Sequence, residues 1–544
     1  MTLVFPSLPR AFWAVIAASI LATSSGYAAL VITSANWAAT QSLRTIYPND
    51  ETRIHFLAGD GMPIRSFTEP DWARAQVLFT TGALLLAGTW LLLGLARAGG
   101  REQLRLLGTE LRQTTRSAWQ AWRTLPAWQR RLFSGQLLLL SLVRLFLSWT
   151  LIWQDDATSY DLFVQHGLLA VGAYYPLPNN HELSNLLSLG FYRLHPAFWW
   201  SMRLPVLLVS FTGTILLFRV LLRRLGYWPA FFAAGATSWL EPSLFNAGSG
   251  RGYWLVLFFT ALVFWSLLTL LDPPSPAQRA RLAWLVLVTA GVLGSYTMPT
   301  FAFVLVSAWS WLGWQALYRR QWALLGAAVA AGLLALGGIV ACYGPTLYVS
   351  GWQALVANPY VHFQAHNLAR IQPLTWQGLP SYLWHIEGYL GGQFHLGGLV
   401  GLLALTSFGW TAWQAQAGRL PAAAQRQVQQ VGWPALWFML SIYLLLPAQQ
   451  IFPPERSWLY KAWFGFIVLA VGLANQPWLR TWRLAVRASV LVFACYQVRA
   501  VLINNRGNWL FYTKRQKEFK WLAEHRDLLY PGARVVPVSS PSVK

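Results

Sequence analysis

Acidic side chains are what this chain has least of. Its 544 residues include 18 Asp and Glu against 41 Lys and Arg, and all charged residues together reach only 11%. Hydrophobic residues make up 56%. That is more apolar surface than a soluble domain of this size can bury, so a water-soluble globular enzyme is excluded. Cysteine is nearly missing: Cys342 and Cys495 both sit in apolar segments, which excludes a disulfide framework and any cysteine-based metal site. Nucleophilic triads and glycine-rich nucleotide loops are absent too. The net charge of +23 does not signal nucleic acid, because the basic residues are mostly Arg at the ends of apolar runs. That is the arrangement the positive-inside rule produces.

What is present is a series of apolar runs of about 20 residues, each able to cross a hydrocarbon core of roughly 30 Å. They predict an all-α, polytopic membrane bundle of about thirteen spans: 11–33, 76–96, 133–153, 203–222, 228–247, 252–271, 281–299, 300–318, 322–343, 395–415, 431–449, 456–474 and 483–503. The first run follows Arg10 and has small residues after it, which suits either a signal peptide or, the reading adopted, an uncleaved anchor. Arginines 97, 101, 105, 112, 116, 123, 130 and 131 lie between spans two and three, and Arg219/Arg223/Arg224, Arg279/Arg281, Arg319/Arg320, Arg419/Arg426 and Arg480/Arg483/Arg487 fall on the same side. That side reads as cytoplasm, which puts the N-terminus inside and the C-terminus outside in a multi-pass inner membrane protein. Residues 154–202, 344–394 and 504–544 then lie outside, with all nine histidines outside or at outer helix ends. Leucines at helical spacing in 154–202 predict amphipathic helices lying in the interface. Arg144, inside the third span, is a functional candidate by default, or else a partner of backbone carbonyls on neighbouring helices.

The outer face carries the groups with chemistry. WQDDATSYD (Trp153–Asp161) puts three carboxylates just past a helix end. Adjacent helical side chains point roughly 100° apart, so one of Asp155 and Asp156 faces a site while the other bonds its neighbours. Asp161 reads as structural. GSGRGYW (Gly248–Trp254) places Arg251 in a short outer connection, against the positive-inside trend, which suits a phosphate partner. Gly250 and Gly252 leave room for a ligand to approach the backbone. In PPERSWLYK (Pro453–Lys461), Arg456 and Lys461 are further phosphate candidates, with Glu455 available to neutralise Arg456. Glu241 is a costly acid near a span end, either a ligand contact or a partner for Arg251. His362 and His366 have the spacing of a zinc pair but no third ligand nearby. Asp155, Asp156 and His181 are compatible with a divalent ion, though no spacing specifies one, so no metal site is assigned.

The order of these parts resembles the GT-C superfamily of integral-membrane glycosyltransferases. The branch it is most similar to holds the protein O-mannosyltransferases and aminoarabinose transferases, glycosyltransferase family 39 and its bacterial relatives. An acidic pair at an outer helix end is followed by YPLPNNHEL, then MRLP (Met202–Pro205), then GRGYW, from about residue 133 to 460. The acidic pair is Asp-Asp here where the family usually has Asp-Glu, and two extra spans precede the module.

The resemblance implies a division into 1–132 (extra spans and Arg-rich segment), 133–343 (catalytic module), 344–394 (large outer loop), 395–503 (C-terminal spans) and 504–544 (short tail). It implies inverting transfer of a sugar from a polyprenyl-phosphate carrier to a glycan, lipid or protein acceptor at the outer face, among membrane lipids and without nucleic acid. Asp155 would be the general base and Asp156 its support. Arg251, Arg456 and Lys461 would bind the donor phosphate, and His181, Asn180, Glu241 and Tyr253 would contact sugar or acceptor. Inversion places Asp155 and Arg251 on opposite walls of one cavity. Two other classes remain open: an O-antigen-ligase- or polymerase-like transferase, and a lipid-linked-sugar flippase or transporter.

Overall fold

In a computed structural model, the described residues are 8–46, 65–150, 154–177, 180–272, 280–356, 396–449, 455–476 and 491–503. Every regular element among them is helical, as it must be where hydrocarbon leaves each backbone N–H to be satisfied within its own segment. In chain order these are α1 (Arg10–Thr33), α2 (Trp37–Ile46), α3 (Glu69–Trp90), α4 (Ala98–Arg123), α5 (Ala127–Thr150), α6 (Gln154–Ser159), α7 (Leu168–Ala173) and α8 (Glu182–Leu194). There follow α9 (Leu204–Leu225), α10 (Tyr227–Trp239), α11 (Glu241–Gly248), α12 (Tyr253–Leu271), α13 (Ala280–Thr297), α14 (Ala302–Tyr318) and α15 (Trp322–Val349). Leu396–Gln416 and Trp433–Gln449 then pack on Leu459–Ala474, which in turn packs on α10.

Ten helices among the described residues are long and apolar enough to cross a membrane, and the expected thirteen spans differ from these in three places. The run 228–247 breaks at Leu240, whose ψ of 140° separates α10 from α11. Pro242, without an N–H to continue the ladder, begins a new helix instead. Leu396–Gln416 is helical over 21 residues but falls outside the ten, and of 483–503 only Leu491–Ile503 is described. Within the first outer loop, the amphipathic interfacial reading needs correcting at α7. All six residues of α7 are buried, because it packs between α1 and α15; Thr346 and Ser350 donate to its carbonyls at Gly172 and Ala173 (3.0 and 2.8 Å). The first span is likewise no bystander: α1 packs on α3 and α15, and the Tyr27 and Tyr296 hydroxyls meet at 2.6 Å.

Side-chain contacts sort the helix ends into two groups. At one end Arg223 donates to Ser117 of α4, Arg224 pairs with Asp272 (2.7 Å), and Arg281 pairs with Glu110 (3.2 Å), whose other oxygen caps Leu282 N (2.8 Å). The amphipathic α4 buries Gly100, Gln103, Leu107 and Glu110 on one side and so gathers the arginine-rich connections. The opposite end holds the start of α9 at Arg203, the α11–α12 connection with Arg251, and Thr297 at the end of α13.

Arg144 takes the quieter of its two readings. It is 1% exposed and donates to Ser210 O and Thr214 Oγ1 of α9 (both 3.0 Å) and more weakly to Ser238 O of α10 (3.5 Å). Its guanidinium lies 4.4 Å from the Trp254 ring centre on α12, a favourable cation–π placement. Four helices are thereby tied through one side chain. Arg144→Ala, which leaves a cavity at their junction, is expected to lower stability by about 2–4 kcal/mol, whereas the volume-matched Arg144→Met stays within about 1 kcal/mol of wild type. Thermal unfolding in detergent, followed by tryptophan fluorescence, checks this; equal loss in both variants would mean that the charge itself is required.

Candidate functional site

The carboxylates of the short α6 diverge, as neighbours on a helix must. Asp156 is fully buried, and its Oδ2 stands 2.7 Å from Arg203 Nη1, itself 1% exposed. Arg203 also donates to the Gly248 carbonyl at the end of α11. Burial pushes the Asp156 carboxyl above its ordinary value, while Arg203 and Arg251 pull the other way. Asp155 keeps 22% of its side chain exposed, and Oδ2 accepts a 2.7 Å bond from Arg456 Nη2, with Arg251 Nη2 at 4.0 Å. Two π-helical segments frame this pair: Tyr160–Val164, which takes in Asp161, and Trp199–Arg203, which delivers Arg203. Such wide turns recur at functional sites.

Arg251 joins the same cluster. It donates to Ser159 Oγ (2.8 Å) and the Asp155 carbonyl (3.2 Å), and its Nη2 lies 3.1 Å from His181 Nε2. Arg456 Nε donates to the Tyr253 hydroxyl (2.5 Å), and the His181 ring stands edge-on to Tyr253 at 5.2 Å. Burial, then Arg251 and Arg456, hold the His181 pKa well below its ordinary value, so the imidazole is neutral at physiological pH. The cluster therefore sets two guanidinium charges against one partly exposed carboxylate. It suits an anion, and the carboxylate suits a proton acceptor.

Asp155, Arg251, Arg456, His181 and Tyr253 are thus brought together, although they span 301 positions from Asp155 to Arg456. Asp155 and Arg251 do not line opposite walls: opposite charges in a dry environment draw together, and they share one side. Gly250 and Gly252 leave no room for a ligand either. A Cβ at Gly250 would crowd Met202 (3.0 Å), and one at Gly252 would meet Thr297 (2.7 Å) and His181 (3.2 Å).

Asn180 serves as a clasp, its amide donating to the carbonyls of Val171 and Tyr174 (2.9 and 3.0 Å) while Asn185 donates to its oxygen (2.8 Å). Lys461 is buried with its ammonium 4.8 Å from the Tyr443 ring centre. Glu241 opens α11, its backbone N–H bonded to Gln497 (3.0 Å). His362 and His366 lie outside the described residues. Among the described residues no three His, Cys, Asp or Glu side chains are placed to hold a metal ion, Asp156 being turned to Arg203.

Two contributors escape a reading of the sequence. Arg203 stands within the MRLP element but gives no sign there of its buried partner. Glu182, the acid of PNNHEL, is fully buried beside His181. Its Oε2 lies at the long limit, 3.5 Å, from the Tyr343 hydroxyl, and its Oε1 has no hydrogen-bond partner among the described residues. An acid amid apolar residues was the available signal.

Burial pushes Glu182 well above its ordinary value of 4.5. A carboxyl whose folded pKa is raised contributes stability that is complete below the unfolded value and lost as pH rises toward the folded one. Glu182→Gln should therefore gain on wild type as the pH rises above about 4.5, by up to about 1.4 kcal/mol per unit; parallel thermal-unfolding profiles would contradict a neutral Glu182. For the Asp156–Arg203 pair, Arg203→Met alone is expected to cost about 3–5 kcal/mol by stranding a buried carboxylate, and Arg203→Met with Asp156→Asn to recover most of it. A double-mutant cycle measures that recovery. No family model and no curated protein matches the chain.

Proposed function

We propose that this chain is a membrane glycosyltransferase, moving a sugar with inversion from a polyprenyl-phosphate donor to a hydroxyl acceptor at the outer face of the inner membrane. The observation that carries the reading is a partly exposed carboxylate, Asp155, held 2.7 Å from Arg456 and 4.0 Å from Arg251 at one end of an apolar bundle. An acid and two guanidinium groups are what the reaction needs. Asp155 takes the proton of the acceptor hydroxyl as its oxygen bonds to the anomeric carbon. The sugar–phosphate bond breaks on the other face, and its electron pair leaves on the lipid phosphate, where Arg251 and Arg456 meet the growing charge.

The Asp155–Arg456 contact adds a condition. While Arg456 bonds to Asp155, the carboxylate is a poor base and the guanidinium is partly committed. A donor phosphate competes for the arginines, draws them off Asp155 and lets the sugar enter between them. The donor then binds before the acceptor, and the base gains its strength only once the donor is present. The acceptor is a glycan, lipid or protein hydroxyl. Transport, the rival reading, rested on Arg144, whose donors end on carbonyls and a hydroxyl inside the bundle.

Asp155→Asn keeps the shape and a hydrogen-bond acceptor but removes the base. Transfer by the purified variant in proteoliposomes, and the cell's glycans by mass spectrometry, should fall by roughly 10²–10⁴ with the thermal midpoint little changed. Arg456→Ala should chiefly raise the KM for donor. Retained turnover in Asp155→Asn would remove the assignment.

A further inference from the structure

The arginines of α4 are in register along it. At about 3.6 residues per turn, Arg101, Arg105, Arg112, Arg116 and Arg123 fall within an arc of about 60°. The buried side of the helix, at Gly100, Gln103, Leu107 and Glu110, lies almost directly across from them. All five arginines are exposed, and from the first to the last the stripe runs about 33 Å. Of the acids on α4, Glu102 pairs with Arg105 (2.8 Å) and Glu110 turns inward to Arg281 (3.2 Å). Arg101, Arg112, Arg116 and Arg123 have no ion-pair partner among the described residues. A bias of positive charge toward one end of a bundle asks for arginines near that end, but not for a row of them on one side of one helix. The row is unfavourable in itself, since Arg101 with Arg105 and Arg112 with Arg116 are like charges four positions apart. A line of anions along the stripe relieves that repulsion.

The apolar neighbours say which anions these are. Trp119 falls in the same arc and is 48% exposed, with the Arg123 guanidinium 5.3 Å from its ring centre. Indole beside arginine suits the headgroup layer of a membrane. Both ends of α4 are held at that level. Leu91, Leu92 and Leu95 just before it, and Trp128 and Leu132 just after it, are all exposed on helices long and apolar enough to span. An acidic protein or a nucleic acid would use the charge but has no need of these apolar groups. We propose that α4 is a binding site for anionic phospholipid headgroups, whose phosphates dock along Arg101, Arg112, Arg116 and Arg123. Guanidinium forks match phosphate oxygens in pairs. The lipid then braces the helix that Gln103 and Glu110 fasten to the start of α13. This site is independent of sugar transfer and lies on elements the reaction does not use.

The full-length protein in detergent is titrated with phosphatidylglycerol or with phosphatidylcholine of the same chains, and affinity is read by native mass spectrometry. Wild type should prefer phosphatidylglycerol by about 10-fold or more, and the preference should shrink as salt rises from about 0.1 to about 0.5 M. The combined variant Arg101→Gln, Arg112→Gln, Arg116→Gln and Arg123→Gln should lose roughly 30- to 1,000-fold in phosphatidylglycerol affinity. The same four positions changed to Lys keep the charge and should stay within about 10-fold of wild type. Arg319→Gln, Arg320→Gln, Arg419→Gln and Arg426→Gln together remove equal charge from exposed positions away from α4 and should change affinity less than about 3-fold. Hydrogen exchange of wild type in nanodiscs should show residues 98–123 slower with phosphatidylglycerol present than with phosphatidylcholine alone. Equal exchange would overturn the site even if the Gln variant does not fold. So would a wild type without preference, a folded Gln variant that keeps it, or a control variant that loses as much. Displacement of the lipid by equimolar polyglutamate would assign the stripe to an acidic protein and overturn it too.

Discussion

The arrangement at the site depends on one buried ion pair. Moving Asp156 and Arg203 out of water costs several kcal/mol for each ion, a cost that only close mutual contact offsets. Their 2.7 Å approach, with both side chains at 1% exposure or less, ties α6 to the start of α9, and the Gly248 carbonyl adds the end of α11. Neither charge can leave without stranding the other. Asp155 inherits its direction from that constraint: once Asp156 is committed inward, its neighbour must turn toward Arg251 and Arg456.

Two buried arginines in this molecule show how the same group serves opposite ends. Arg144 spends its donors on carbonyls, a hydroxyl and the face of Trp254. Arg251 directs its donors toward Asp155, Ser159 and a neutral imidazole. The first closes a junction between helices. The second ties α6 and His181 to the start of α12.

Much of the helical frame was legible because it follows from composition: apolar runs of sufficient length must be helices in a bilayer. The gathering of arginines at one end was legible for a similar reason. Contacts between distant segments were less so. The 228–247 run read as one span because hydropathy does not register a break at Leu240, although Pro242 marked it. α7 read as interfacial because its burial comes from α1 and α15, more than a hundred residues away on either side. Asp155, Arg251 and Arg456 were each identifiable as a charge out of place, but their meeting on one side was not. Arg203 and Glu182 were passed over because a residue type alone does not reveal burial.

The bond from Arg456 to Asp155 crosses 301 positions of chain. During synthesis at about 5–20 residues per second, the Asp155 carboxylate is therefore made roughly 15–60 s before the guanidinium that neutralises it. For that interval the growing chain holds its acid at the membrane surface with only the earlier arginines for company. A chain that stops short of residue 456 would keep the buried pair and lack the clamp, leaving this part of the cluster as the last to close.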